Sequence, residues 1–231
     1  MTTITEPRVE LIAHTTLACD GRSPVIEGHM SLDPDAGDVQ QLVEFAGRAC
    51  YQSFHKPNPA TARNKDYIAR TLHEQKHWSI AEHATATFYI TGVSRALTHE
   101  LIRHRHLSYS QLSQRFVDES EANIVIPPAA RGSEKLMWEF ENAAVGARHS
   151  YQELVEALLD SGLARKQARE AARAVLPNMV ETRIVVTGNM RAWHEVIERR
   201  TAPDADAEFQ EVAGMIREQL QQIAPEVFPE P

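Results

Sequence analysis

Cysteine is nearly missing from this chain of 231 residues, which holds only Cys19 and Cys50. Without a second pair there is neither a disulfide framework nor a zinc knuckle. No apolar run approaches the length of a membrane span. No G-x-G-x-x-G loop occurs, so a bound dinucleotide would be held outside a Rossmann frame. The G-x-S-x-G elbow is missing as well, and no Ser-His-Asp order can be placed, which sets serine-hydrolase chemistry aside. Positive charge is also short: 24 Lys and Arg stand against 32 Asp and Glu, a net charge of -8. Non-specific nucleic-acid binding scales with neutralised phosphates, so no nucleic acid is expected as partner and any anionic ligand must meet a local patch. The start, MTTITEPRVELIAHT, lacks the basic opening and apolar centre of a secretory signal. A cytoplasmic protein of one domain, 1–231, with no membrane contact is the expectation.

What is present is mixed. Alternation in ATATFYITGV at 84–93 predicts a strand with Ala84, Ala86, Phe88 and Ile90 on one face, ended by Gly92. VELIAHT at 9–15 reads as a strand near a sheet edge, IVIPP at 124–128 as an extended piece, and TRIVVTG at 182–188 as a strand. Helices are predicted from Asp38 to Ser53, with Val39, Leu42, Val43, Ala46 and Cys50 inward, and from Thr61 to Gln75. Ser94 caps a helix over SRALTHELIRHR that buries Leu97, Leu101 and Ile102. Further helices are expected over 134–161, with a stripe from Phe140 to Leu159, over 164–176 before Pro177, over 192–200, and over 204–223 behind Asp204 or Asp206. Residues 19–38 read as a long loop or insertion.

The densest chemistry lies at 94–115, SRALTHELIRHRHLSYSQLSQR, with four arginines, three histidines and a single acid, Glu100. Arginine's planar fork suits phosphate or carboxylate, although cations also collect at helix C-termini for purely local reasons. Zinc is disfavoured, because His99 and His104 are five apart and point roughly 140° from one another on a helix; no metal is expected. Lys166, Arg169 and Arg173 form a basic stripe. TGNMRAWHEVIERR takes a strand into a helix through Gly188 and Asn189 and carries Arg191, Arg199 and Arg200. KHWSIAEH sets His77, Ser79, Glu82 and His83 before the best strand.

Arg103, His104 and Arg105 followed by seven residues and Ser113 resemble the RHR-x7-S signature of flavin-dependent thymidylate synthases. The likeness extends in order from Val9 to Arg200, through CYQSFHKPNP and ARAVLPNMVETRIVVTGNMRAW. It implies a family-specific α/β (α+β mixed) fold with a small, largely antiparallel sheet and flanking helices. It implies conversion of dUMP to dTMP with 5,10-methylenetetrahydrofolate as one-carbon donor, bound FAD as hydride carrier and NADPH as reductant. It also implies a homotetramer with active sites at subunit interfaces.

Carried over by position, Ser79, Arg103, His104, Arg105, Gln111, Asn189, Met190, Arg191 and Glu195 match the FAD site. Glu100, Leu101, Ile102, Arg103, Gln111, Leu112, Ser113, Gln114, Arg115, Arg173 and Arg200 match the dUMP site, and His77 matches a histidine near folate and flavin. The family often has His or Asn where this chain has Glu195, with His194 one place earlier. Cys50 on an apolar helix face and Cys19 in a loop are unsuited to add to the uracil ring. Activation is therefore assigned to the charge of Arg200, the catalytic candidate. Ser113, with no placed base, is assigned to binding. The competing reading is a non-catalytic nucleotide- or RNA-binding module built on the arginine cluster. Acidity and the spread of matching residues over three segments count against it.

Overall fold

A computed structural model describes residues 4–18 and 24–230. Four strands, β1 (Arg8–His14), β2 (Thr85–Ser94), β3 (Leu107–Gln111) and β4 (Glu181–Asn189), form one antiparallel sheet in the order β1-β2-β4-β3. The α+β arrangement with a small antiparallel sheet is the expected one. Helices α1 (Pro24–His29), α2 (Asp38–Tyr51), α3 (Asn64–Ile68), α4 (Arg95–Leu101), α5 (Glu134–Asp160), α6 (Arg165–Ala172), α7 (Met190–Arg200) and α8 (Ala207–Ile223) surround it.

Period-2 alternation decides the core. Ala86, Phe88 and Ile90 of β2 and Ile184 and Val186 of β4 are fully buried beside Trp193 and Val196 of α7 and Phe209, Val212 and Ile216 of α8. Each such aliphatic or aromatic side chain contributes about 1.5–3 kcal/mol on leaving water. Trp193 meets Phe88 edge to face at 5.0 Å and donates its indole N–H to the Ala86 carbonyl at 3.1 Å, which fixes α7 on the sheet.

Several expectations are corrected. Gly92 does not end β2: at φ +66° it sits in a bulge between Ile90 and Val93, and a Cβ there would lie 1.9 Å from the Glu6 carbonyl oxygen. The helix behind Ser94 stops at Leu101, so Arg103 to Arg105 form a turn and Ile102 is exposed. Residues 24–29, read as loop, are α1; Cys19 lies outside the described residues. The helix behind Pro59 is capped at Arg63 and not Thr61, which belongs to a short 3-10 turn.

Cys50 is exposed. The face of α2 that turns inward is partly polar: Arg48, 2% exposed, donates from Nε to Glu44 at 2.6 Å, and Asn64 donates to the other Glu44 oxygen at 2.9 Å. The 27-residue α5 buries only Ala144 and Tyr151 and leaves Leu136, Trp138, Val145 and Leu154 open to solvent. The expected stripe itself is buried or half-buried apart from Leu154, with Ala144, Phe140 and Met137 packed in a small cluster with Ile124 and Ile126.

Candidate functional site

Antiparallel pairing makes three connections meet at one end of the sheet. There β2 begins, β3 begins and β4 ends: Thr85 pairs with Asn189, and Leu107 with Gly188. The 3-10 segment Trp78–His83 leads into β2, the turn at 103–106 leads into β3, and α7 leaves β4. Asn189 caps α7, its Oδ1 accepting from the Ala192 N–H at 2.8 Å. Gly188 is required here, because a Cβ would come 2.1 Å from Leu107 Cδ2 and 3.2 Å from the Trp193 indole nitrogen.

Three cavities line this end. The largest, about 510 Å³, is walled by His77, Ser79, Arg191, His194 and Glu195. One of about 200 Å³ adds Glu82, His106 and Asn189, and one of about 160 Å³ adds Arg103, His104 and Arg105. Glu195 borders all three. Arg191 donates to Glu82 at 2.6 Å and lies 3.5 Å from Glu195, so the carboxylate holds the guanidinium across the cavity mouth. His194 stacks on Trp78, ring centroids 3.7 Å apart and 9° from parallel, and burial lowers its pKa.

Arg200, the last residue of α7, is held by three hydrogen bonds and a ring contact. Its Nε donates to His104 Nε2 at 3.0 Å, its Nη1 to the Glu100 carboxylate at 3.1 Å and its Nη2 to the Glu100 carbonyl at 3.3 Å. The guanidinium carbon sits 4.9 Å from the centre of the Phe209 ring. His104 must accept at Nε2, so it is neutral with its proton on Nδ1. Its surroundings agree: burial first, then the cations Arg200 and Arg199, bring its pKa down to about 4.

The remaining predicted residues gather at the opposite end of the sheet. Ser94 of β2 pairs with Glu181, Gln111 of β3 with Ile184, and the Leu112 N–H extends the ladder to the Arg183 carbonyl. Gln111 is committed to the hydroxyls of Thr98 and Thr182, at 3.1 and 3.2 Å. Ser113 turns the chain, its carbonyl accepting from Phe116 and Val117. Arg115 lies 3.6 Å from Glu170. Of the basic stripe Lys166 is exposed, while Arg169 donates to the Phe116 carbonyl and to Asp118, both at 2.7 Å.

Among the described residues, four side-chain atoms in this region are buried without a partner: Arg95 Nη1, Gln114 Nε2, Glu119 Oε1 and Arg169 Nε. An unpaired buried donor is costly, and three of the four are donors while the Glu119 oxygen is an acceptor. Arg95 was missed by the sequence reading. Its signal was its place directly after the Ser94 cap, where α4 turns it inward; burial lowers its pKa, with Glu119 opposing and Arg173 adding to the effect. Glu119 is pushed up to about 7 by burial.

Two predicted residues reach neither end with their side chains. Leu101 and Met190 are fully buried in the core, and their main-chain groups are engaged, the Leu101 carbonyl by the Tyr109 hydroxyl and the Met190 N–H by the Ala84 carbonyl. The two ends stand about 25 Å apart along the nine residues of β4. The run from Arg103 to Arg115 therefore does not surround one point within a single chain.

Comparison with known proteins finds residues 34–226 matching the family described as thymidylate synthase complementing protein. The flavin-dependent thymidylate synthase of Mycobacteroides abscessus is 51% identical over 99% of this chain and 91% of its own. That of Mycolicibacterium gilvum is 50% identical, with the same coverage. That of Mycobacterium tuberculosis is 49% identical over 96% of this chain and 88% of its own.

Proposed function

We propose, since the chain belongs to the flavin-dependent thymidylate synthase family, that it makes dTMP from dUMP with 5,10-methylenetetrahydrofolate as one-carbon donor, FAD as bound cofactor and NADPH as reductant. The observation that carries the mechanism is the clamped Arg200. A guanidinium held by Glu100 and a neutral His104 is a fixed positive charge that needs no reorganisation when negative charge grows on the uracil carbonyls or N3. Cys50 is exposed at the end of α2 and lines none of these cavities, so among the described residues no thiol supports a covalent route to activating the ring.

The residues at the α7 end fit FAD. The cavities run along the first turns of α7, whose N-terminus and Arg103, Arg105 and Arg191 suit the pyrophosphate, while Asn189 and Ser79 offer hydrogen bonds. Bound there, the flavin supplies the hydride. Glu195, placed among those cations, replaces a neutral or basic contact with an acid, and Arg191 balances it. His77 stands at the outer wall, on the folate side. At the far end Arg95, Gln114, Arg115, Ser113 and Arg173 serve the dUMP phosphate, with Gln111 and Glu100 between.

The distance between the two ends supports an active site shared by two copies, and the exposed Leu136, Trp138, Val145 and Leu154 of α5 support a homotetramer. No helix among the described residues is long and apolar enough to cross a membrane. We place the enzyme in the cytoplasm as one domain. The test combines the purified protein with dUMP, methylenetetrahydrofolate, NADPH and FAD. Formation of dTMP by a yellow protein is the expected result. Tight nucleotide binding by a colourless protein that makes no dTMP would favour the binding-module alternative and refute the assignment.

A further inference from the structure

A separate cavity of about 380 Å³ opens on the other side of His77, which lines both it and the largest cavity at the α7 end. Its walls are built with care. The buried Arg48 donates from Nη1 to the Ser53 carbonyl at 3.2 Å and from Nη2 to the Thr61 carbonyl at 2.6 Å, and its guanidinium carbon sits 4.4 Å from the centre of the Tyr67 ring. Ser53, Thr61 and Tyr67 all face the cavity, so one buried cation fixes three parts of its wall. Gly47 leaves the space the Tyr67 hydroxyl occupies, since a Cβ there would lie 2.2 Å from it.

The opposite wall is a π-helical turn, Ala69–Glu74, in which the Gln75 N–H reaches back five residues to the Arg70 carbonyl at 2.9 Å. Such turns are rare and concentrate at functional sites. This one brings Arg70, Thr71 and Gln75 to the same cavity. The non-glycine residues with positive φ among the described residues are Gln52, Lys56 and Lys76, at 49°, 49° and 59°. Gln52 is the left-handed C-cap of α2, and each of the three lies within three residues of a lining residue, so these turns shape the walls. Arg70 is the cation on the wall, no carboxylate faces it there, and it forms no ion pair among the described residues.

We propose that this cavity is a subsite for the benzoyl-glutamate tail of the folate co-substrate, with Arg70 binding a glutamate carboxylate. The proposal rests on the folate reading of His77. Tyr51 and Tyr67 offer ring surfaces to the aminobenzoyl group, Thr71 and Gln75 hydrogen bonds to its amide, and Arg70 the counter-charge at the anionic end. The link through His77 lets one extended molecule lie in both cavities.

Folic acid and pteroic acid share the pterin and the aminobenzoyl ring and differ by the glutamate. Their binding to the FAD-loaded, full-length protein with dUMP present, followed by calorimetry, tests the assignment. Arg70→Ala should weaken folic acid by roughly three- to tenfold while leaving pteroic acid within about twofold, and Arg70→Lys should restore part of the loss. Flavin content and dUMP affinity should not change. Equal loss for both acids, no loss for either, or failure of the unaltered protein to bind folic acid overturns the subsite. So does a rise confined to the NADPH KM, which would place a phosphate there instead. If the unaltered protein makes no dTMP, the catalytic reading falls while the difference between the two acids still decides the cavity.

Discussion

Replacing Arg200 by alanine removes a guanidinium that makes three hydrogen bonds and a ring contact, and the structure separates what each loss costs. The Glu100 carboxylate is 43% exposed and rehydrates. His104 Nε2 is left without a donor in a largely buried place, which costs about 1–3 kcal/mol of stability. Against a typical total of roughly 5–15 kcal/mol, the variant stays folded. Burial, the first cause of the low His104 pKa, remains, so the imidazole stays neutral at pH 7. The cavities that suit the flavin keep their arginines, because Arg103, Arg105 and Arg191 are untouched. Catalysis loses a preorganised charge, worth roughly a hundred- to a thousandfold in the rate of ring methylation. Single-turnover formation of dTMP, measured beside the flavin absorbance of the same sample, reads both. Turnover within about tenfold of the unaltered enzyme, or loss of the flavin, would refute the role given to Arg200.

Three further outcomes follow from the same geometry. Ser113→Ala should raise the dUMP KM and keep measurable turnover, since the Ser113 carbonyl holds its turn without the hydroxyl; complete loss with intact dUMP affinity would restore a nucleophilic role. Gly188→Ala should lower stability by about 1–3 kcal/mol in denaturant titration, because the methyl group must displace Leu107 against the Trp193 indole; an unchanged midpoint would contradict the packing described. Glu119 keeps its proton up to about 7 in the folded protein and only to its ordinary 4.5 in the unfolded chain. Folding therefore takes up a proton between those values, and stability falls as pH rises through that window. Glu119→Gln should gain in Tm relative to the parent at pH 8 and lose that gain near pH 5; a gain independent of pH would show that burial does not hold the carboxyl protonated.

Much of the sheet was legible because its signal is local. Alternation from Ala84 to Ile90 requires one buried face whatever surrounds it, and Ser94 announces its helix by capping it, whereas the cap at Asn189 starts α7 two residues before the expected 192. Periodicity groups residues on a face without saying what covers the face. It placed Cys50 inside, where α2 in fact turns Glu44 and Arg48 toward Asn64, and it could not show that Leu136, Trp138 and Val145, off the expected stripe of α5, stay exposed. The site divides in the same way. Arg103, Arg191 and His77 stood out by composition, but Arg95 is recognised only when α4 leaves its Nη1 unpaired in the interior. The distance between SQLSQR and RHR along β3 and β4 depends on strand register, which spacing in sequence does not contain.

With the flavin at the Asn189 end, as proposed, the meeting of three chain connections there would tie cofactor retention to the pairing of β2, β3 and β4. Residues 77–83, 103–106 and 189–191 approach while β2, β3 and β4 are zipped together, so the proposed flavin site would be lost when those strands part. Flavin occupancy then doubles as a folding gauge. Added FAD should raise the melting temperature by mass action, and flavin should be shed in the same cooperative step that opens the strands.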